Sequence, residues 1–304
     1  MLRSILYSYQ DIIVTGKEIT AMNKLVMVVS EEMEGESLAL KKAKNIAASF
    51  KADVEVVRFL PQTCSDTDRQ SATQSIGELV HSVFNDLGGV TSQVVPTDSI
   101  PEWVADHCAS SDDNLVLKTG RRSESLFHTP TDWELIRQLH CPLLISSNQK
   151  WKSKPNILIA LDLSSDEAEH RELNALGLRW ARQWEAISDC QLHAVYSIPI
   201  PAPLLALDIV EKRDYQRTHE PEAKEKLLAL LKEFGMTEAI PHILAGAPDK
   251  TIPHMANELK ADLVIMGSAG REGVQGFLRG NTAEKVLHHL RTDILVVKPT
   301  GISL

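Results

Sequence analysis

The sequence predicts an α/β protein built from two tandem domains, each with a mainly parallel β-sheet. Short apolar runs rich in β-branched residues alternate with amphipathic segments, as in parallel strands joined by helices. The pattern occurs twice, with a period of about 150 residues. Both copies contain an Ile-Pro pair, a helix, an aspartate and an apolar strand that runs into glycine, beginning at Ile100 and at Ile252.

The strands and helices follow one another in the same order in both halves. The apolar runs that we interpret as strands are 25–29, 54–57, 115–117 and 143–145, and then 157–161, 192–195, 263–266 and 294–297. One amphipathic helix lies between the first two strands of each half. Ser164 and Glu167 have the spacing of a capping box at the start of the second of these helices. Thr131 and Asp132 are expected to cap the helix that carries Trp133.

Composition limits the class of protein. The chain has 304 residues, 43% hydrophobic and 24% charged, which is ordinary for a globular protein of two domains. A net charge of −9 disfavours nucleic acid and anionic membranes as partners. No apolar run is long enough to span a membrane, and four scattered cysteines indicate reduced thiols. A cytoplasmic location is therefore expected.

The domain boundaries are placed at irregular, polar or proline-rich stretches. Residues 1–22 are interpreted as an N-terminal extension, either an artefact of the start site or a loose segment before the first strand. The first domain spans 23–148, a linker follows, and the second domain spans 155–304. A proline-rich insertion at 198–216 is either a lid over the sheet or a solvated loop.

The segment 266–287 contains the strongest chemical signal, a strand followed by a glycine-rich loop and then a helix. This geometry presents free backbone N–H groups to an anion. Gly267, Gly270 and Gly280 allow close approach to a phosphate, and Asn281 and Thr282 can cap the helix and bind phosphate oxygens. The loop is neither a Walker A loop nor a GxGxxG fingerprint. The alternative is that these glycines only make tight turns.

The G-x2-G-x9-G spacing, together with ILIALDLSSDEA, QLHAVYSIP, ADLVIMGS and DILVVKP, resembles the universal stress protein family. The similarity covers both halves, and the tandem layout is most similar to the E subfamily. The resemblance implies two doubly wound, Rossmann-like, five-stranded domains. It also implies a pseudo-dimer paired through the strands at 143–146 and 294–297, and a stress-response protein that binds an adenine nucleotide in its second domain.

The resemblance also assigns roles to individual residues. The ligand would be ATP, with or without Mg²⁺. An acidic residue would lie near the adenosine, a strand backbone would bind the adenine edge, and the loop would hold ribose and phosphates, with a cation beside it. The matching positions are Asp162, Ala194, Met266, Gly267, Gly270 and Gly280, with Asn281 where the family usually has Ser or Thr. Arg271, directly after Gly270, could supply the cation, and Thr282 could donate to phosphate. Asp162 could instead cap the following helix, and Arg271 could be solvated.

The first half departs from the signature. Gly267 is replaced by Lys118 or Thr119, depending on the gap, and Pro130 stands in place of Asn281 and lacks an N–H for phosphate. The counterpart of Asp162 is near Ser30 or Glu31. We therefore expect this half to have lost the nucleotide site. Its loop at 120–129, with two arginines and a histidine, either holds another anion or is simply exposed.

Catalytic and metal-binding motifs are missing from the sequence. No HExxH or GxSxG motif occurs, no general base can be identified, and His193 is expected to be a core histidine. Binding and regulation are therefore expected rather than catalysis. Two other functions stay open: a weak ATPase or nucleotide hydrolase, and a scaffold or carrier of a non-nucleotide ligand. The expected partners are the nucleotide and the other half of the chain, and a homodimer is also open.

Overall fold

The structure, a computed structural model, describes residues 24–29, 36–109, 114–119, 130–201, 203–204, 211–268 and 281–299. The N-terminal extension and the loop positions Gly270, Arg271 and Gly280 lie outside these residues. So do Ser30, Glu31 and the basic loop at 120–129.

Five strands form in each half. In the first half they are β1 (Lys24–Val29), β2 (Asp53–Leu60), β3 (Val90–Pro96), β4 (Asn114–Thr119) and β5 (Leu143–Ser146). In the second half they are β6 (Asn156–Leu161), β7 (Gln191–Ile198), β8 (Ile240–Ala245), β9 (Leu263–Gly267) and β10 (Asp293–Val297).

All ten strands join one continuous sheet in the order β3-β2-β1-β4-β5-β10-β9-β6-β7-β8. Every neighbouring pair is parallel except β5 and β10, which pair antiparallel with Leu144 opposite Leu295. Each half therefore has the strand order of a doubly wound α/β fold. The predicted fold class and the predicted pairing of strands 143–146 and 294–297 are confirmed.

Eight helices lie in the described part of the chain, and they cover both faces of the sheet. They are α1 (Glu36–Phe50), α2 (Asp66–Phe84), α3 (Ile100–Cys108), α4 (Pro130–Gln138), α5 (Ala168–Ile187), α6 (Lys212–Glu233), α7 (Pro248–Glu258) and α8 (Asn281–His289). Helices α1, α2, α5 and α6 pack on one face, and α3, α4, α7 and α8 pack on the other. Among the described residues, no helix is long and apolar enough to cross a membrane.

Two predicted helix starts are wrong. Helix α5 begins at Ala168, and its N-cap Glu167 makes no side-chain capping bond, so Ser164 and Glu167 do not form a capping box. The extended turn after β6 separates Ser164 from the helix. Helix α4 begins at Pro130, so Thr131 and Asp132 lie inside its first turn and not at its N-cap, and Asp132 is fully buried.

The insertion predicted at 198–216 is shorter than expected, because α6 already begins at Lys212. Gln216 lies in this helix and binds the neighbouring edge strand β8. Its amide nitrogen donates to the Ile243 carbonyl at 3.0 Å, and its amide oxygen accepts from the Ala245 N–H at 3.1 Å. This end of the insertion is therefore fixed to the sheet and is not a lid.

A buried polar cluster joins the two halves. The Lys42 ammonium of α1 lies 2.8 Å from a carboxylate oxygen of Asp293, at the start of β10. Asp293 also accepts bonds from the backbone and hydroxyl of Ser147 and from the Trp151 indole. Lys42 donates in addition to the Ser146 hydroxyl and to the Ser147 carbonyl. Both charges lie in the interior, so their pairing fixes helix α1 of the first half against the second half.

Candidate functional site

A cavity of about 510 Å³ opens at the carboxyl ends of β6, β7 and β9. This is the edge of a parallel sheet at which α/β proteins bind ligands. The ends of these strands and the first turns of α5, α7 and α8 form its walls. Its size is within the range of small-molecule sites.

The structure brings four of the predicted site residues to this cavity: Asp162, Met266, Gly267 and Thr282. Ala194 lies in the middle of β7 with its side chain fully buried, and the next three residues of the strand line the cavity instead. A role for the Ala194 backbone in reading adenine stays a prediction. Asn281 begins α8 beside the cavity.

Asp162 follows β6 at the cavity rim, and both of its carboxylate oxygens have partners. Oδ1 accepts from the Ser164 N–H at 2.9 Å and from its hydroxyl at 2.6 Å. Oδ2 lies 3.0 Å from Nδ1 of His170, in the first turn of α5. The side chain is about half exposed (52%), so its remaining lone pairs are open to ribose or adenine donors.

Asn174 fixes the turn that carries Asp162, and the sequence reasoning did not identify it. Its amide oxygen accepts from the Asp162 N–H at 2.9 Å, and its amide nitrogen donates to the Asp162 carbonyl at 2.7 Å. The side chain is buried, so this reciprocal pair satisfies its polar groups. A usable signal was present, because Asn174 is a polar residue beside the apolar stripe of a helix and follows His170 by one turn.

Gly267 has a structural reason to be glycine. A Cβ atom at this position would lie 2.8 Å from Cβ of Leu173 on α5, closer than carbon atoms can pack. The glycine therefore allows α5 to lie close to the end of β9. Gly267 therefore has a structural reason to stay small, independent of any ligand. This reason is close packing of a helix and not a tight turn.

The cavity wall contains a buried hydroxyl for which the described residues supply no hydrogen-bond partner. It is the Oγ of Ser268, which follows Gly267 and is 5% exposed. Ser197, also on the wall, bonds to Thr251 of α7 with an Oγ–Oγ1 distance of 2.5 Å. Since buried polar groups normally have partners, the Ser268 hydroxyl points to a polar group supplied from the cavity.

The charges around the cavity are mainly negative. The described lining residues include three carboxylates, Asp162, Glu167 and Glu169, and one histidine, His170, but no lysine or arginine. Burial raises the pKa of Tyr196 to about 12, with Asp162 as a smaller contributor, so this phenol is neutral at physiological pH. An anionic part of a ligand would therefore have to face backbone amides rather than these side chains.

The strand registers identify the counterparts of the cavity residues in the first half. Lys118 is opposite Val28 in the first half, and Met266 is opposite Ala160 at the same place in the second half. In the next register position, Thr119 is opposite Ser146, and Gly267 is opposite Val297. Thr119 therefore occupies the position of Gly267, which resolves the alternative that the gap had left open. Lys118 occupies the position of Met266.

Lys118 and Asp132 form a buried ion pair in the first half. The Lys118 ammonium lies 2.7 Å from Oδ1 of Asp132, and their side chains are 5% and 0% exposed. Lys118 also donates to the Thr119 carbonyl at 3.1 Å. Asp132, in the first turn of α4, thus reaches the end of β4.

The side chains of His193 and His242 contact each other in the second half. Nδ1 of His193 lies 2.9 Å from Nε2 of His242 on β8, and His193 is buried as predicted. Burial, together with the neighbouring His242, lowers the pKa of His193 to about 4, so the ring is neutral. Across the described ranges, no three His, Cys, Asp or Glu residues are arranged to hold a metal ion.

Comparison with known proteins gives a consistent result. The model of the universal stress protein family matches residues 155–298. Universal stress protein E homolog of Haemophilus influenzae is 30% identical over 218 residues, 69% of this chain and 70% of the relative. Universal stress protein E of Escherichia coli K12 is 28% identical over 300 residues, 92% of this chain and 95% of the relative.

A solved structure has the same architecture over most of its length. A putative universal stress protein from Pseudomonas aeruginosa UCBPP-PA14 superimposes with a TM-score of 0.72 at 26% identity, covering 92% of this chain and 94% of that one. The sequence and structural similarities both extend across the two halves. The chain belongs to the universal stress protein family.

Proposed function

We propose that this chain is a cytoplasmic stress-response protein that binds an adenine nucleotide, ATP, in the cavity of its second half. Family membership supports the role in the stress response. The proposal depends above all on one observation: a cavity at the strand ends whose wall contains the buried hydroxyl of Ser268, unpartnered among the described residues. In this proposal the halves are the domains 23–148 and 155–304.

The polar groups at the two sides of the cavity suit the two ends of a nucleotide. Asp162 can accept hydrogen bonds from ribose hydroxyls or from the adenine amine. Ser268 and Thr282 can donate to oxygens of the ligand, and the first turn of α8 can offer backbone N–H groups to phosphate. We propose Gly270, Arg271, Gly280 and Asn281 as the remaining phosphate contacts, on the basis of the family resemblance.

Magnesium would enter with the ligand in this proposal. Mg²⁺ binds few protein groups and keeps waters and phosphate oxygens as ligands. The acidic lining is compatible with a nucleotide whose charge is partly neutralised by the ion. ATP should therefore bind more tightly with Mg²⁺ present than with a chelator.

Equilibrium dialysis of the full chain against ATP tests the proposal. We expect about one nucleotide bound per chain and at least a tenfold loss of affinity in Ala283→Leu, because the added methylenes fill the cavity. Ala48→Leu, on the exposed side of α1, is the matched control and should bind normally. No binding at millimolar ATP, with or without Mg²⁺, would remove the nucleotide function.

Ser268→Ala tests the observation that carries the proposal. Loss of one hydrogen bond to the ligand should weaken nucleotide binding by about fivefold, the equivalent of about 1 kcal/mol. Ser153→Ala, in the exposed linker, is the control. Unchanged affinity in Ser268→Ala would mean that the hydroxyl does not contact the nucleotide.

A carrier of a weakly charged, non-nucleotide ligand is the second candidate, because the described lining is acidic. Mass spectrometry of the protein purified under native conditions distinguishes the two functions. A co-purified adenine nucleotide supports the first, and a different small molecule displaced by neither ATP nor adenosine supports the second.

A further inference from the structure

The ligand cavity and its counterpart in the first half differ at two positions, one at the end of a strand and one in the first turn of a helix. In the second half, Met266 at the end of β9 and Ala283 in the first turn of α8 both line the cavity. Helix α4 precedes β5 as α8 precedes β10, and Pro130 and Asn281 each lie 13 residues before the equivalent strand positions Leu143 and Ile294. Asp132 therefore corresponds to Ala283, just as Lys118 corresponds to Met266.

These two substitutions replace an apolar wall by a charged bridge. The Lys118 ammonium and the Asp132 carboxylate meet at 2.7 Å between the strand end and the helix. In the second half, the corresponding side chains are a thioether and a methyl group and leave a cavity. Thr119 adds a side chain at the position where Gly267 has none.

The ion pair is an obstacle, because separating two buried charges is costly. An entering ligand would have to break the contact and satisfy both charges again. The connection from β4 to α4 is also shorter: ten residues lie between Thr119 and Pro130, whereas 13 lie between Gly267 and Asn281. Less chain is available to surround a ligand there.

We propose that the Lys118–Asp132 ion pair takes the place of a ligand in the first half, so that each chain binds one nucleotide and not two. This inference rests on the proposed function of the second half. Lys118 and Asp132 then determine that the first half does not bind a nucleotide. Exchanging them with Met266 and Ala283 should transfer this property between the halves.

The first experiment moves the ion pair into the second half. The double variant Met266→Lys/Ala283→Asp should remain folded, as judged by thermal unfolding, and should lose ATP binding by about 100-fold or more, since the pair would cross the cavity. Glu222→Ala/Lys226→Met, which removes an exposed ion pair on α6, is the control and should bind one ATP. A folded transplant that still binds ATP within threefold of the natural chain would overturn the inference.

The second experiment removes the ion pair from the first half. The triple variant Lys118→Met/Thr119→Gly/Asp132→Ala introduces the three corresponding residues of the second half. Proteins often tolerate the replacement of a buried ion pair by apolar residues. In the natural background, the number of adenosine molecules bound per chain should rise from one to two. Adenosine is the probe because it needs no phosphate site. A folded triple variant that still binds one would overturn the inference.

The two proposals fail in different ways. If the natural chain binds neither ATP nor adenosine, the proposed function is wrong. If it binds two, the function stands and the inference is wrong. Should the transplant into the second half not fold, the triple variant decides alone, because its stoichiometry is measured with the second cavity intact.

Discussion

Removing either partner of the buried Lys42–Asp293 pair, which joins the two halves, should destabilise the protein strongly. Asp293 is fully buried and accepts five hydrogen bonds, from Lys42, Ser147 and Trp151. Lys42→Met removes the only positive charge among these donors and leaves the carboxylate in the interior. Such a loss costs about 3–5 kcal/mol, a large part of the 5–15 kcal/mol that stabilises a typical domain.

Urea denaturation of Lys42→Met, Asp293→Asn and the double variant measures the coupling between the two side chains. Each single variant should lower the free energy of unfolding by about 3–5 kcal/mol, whereas the double variant should cost well below their sum, since no unpaired charge remains. Lys226→Met, which breaks an exposed pair on α6, should cost less than about 1 kcal/mol. A coupling energy below about 0.5 kcal/mol would refute the view that this pair fixes the halves together.

Three further predictions concern single residues. The pKa of His193 is about 4, whereas an unfolded imidazole has a pKa near 6.5. The free energy of unfolding should therefore fall as the pH decreases from about 6.5 to about 4, and it should fall less in His193→Asn. Urea denaturation at several pH values measures both; the same pH dependence in the two proteins would contradict this prediction. Contact with Cys108 and burial raise the pKa of the Cys141 thiol, so a thiol reagent should label both cysteines only after denaturation; rapid native labelling of either would be inconsistent with their burial. Gly267→Ala should lower stability by about 1–3 kcal/mol because its Cβ would lie 2.8 Å from Cβ of Leu173. In a Leu173→Gly background, which lacks that atom, the same substitution should lose this steric cost; a fully stable single variant would exclude the close packing.

The central strands of each half could be predicted from the sequence, but the edge strands could not. Strands β4, β6 and β9 lie inside the sheet and are mostly buried, and they therefore appear as apolar runs. Strands β3 and β8 lie at the two ends of the sheet, contain polar residues, and each includes a proline. Such residues are tolerated at a sheet edge but obscure the strand pattern.

Helices α2 and α6 were missed for a related reason. Both cover edge strands and bury few residues, so polar side chains occupy most of their length. Helix α6 also contains Pro221, which argues against a helix when only the sequence is read. Tertiary packing, rather than amphipathic pattern, stabilises them.

The general position of the site was predictable, but its detailed contacts were not. Strand, glycine and helix signals indicated the end of β9, and the cavity lies there. The contacts of Asp162 with Ser164, His170 and Asn174 depend on how the turn after β6 meets α5. Asp132 gave the local signal of a helix cap, and only the register of β4 shows that Lys118 lies within reach of it.

A crystal structure of the full chain grown with ATP and Mg²⁺ tests the nucleotide site most directly. Electron density for adenine and ribose should lie between the ends of β6, β7 and β9, within hydrogen-bond distance of Ser268, while Lys118 and Asp132 remain paired. Nucleotide density beside Lys118, or an empty second-half cavity at saturating ATP, would contradict the account.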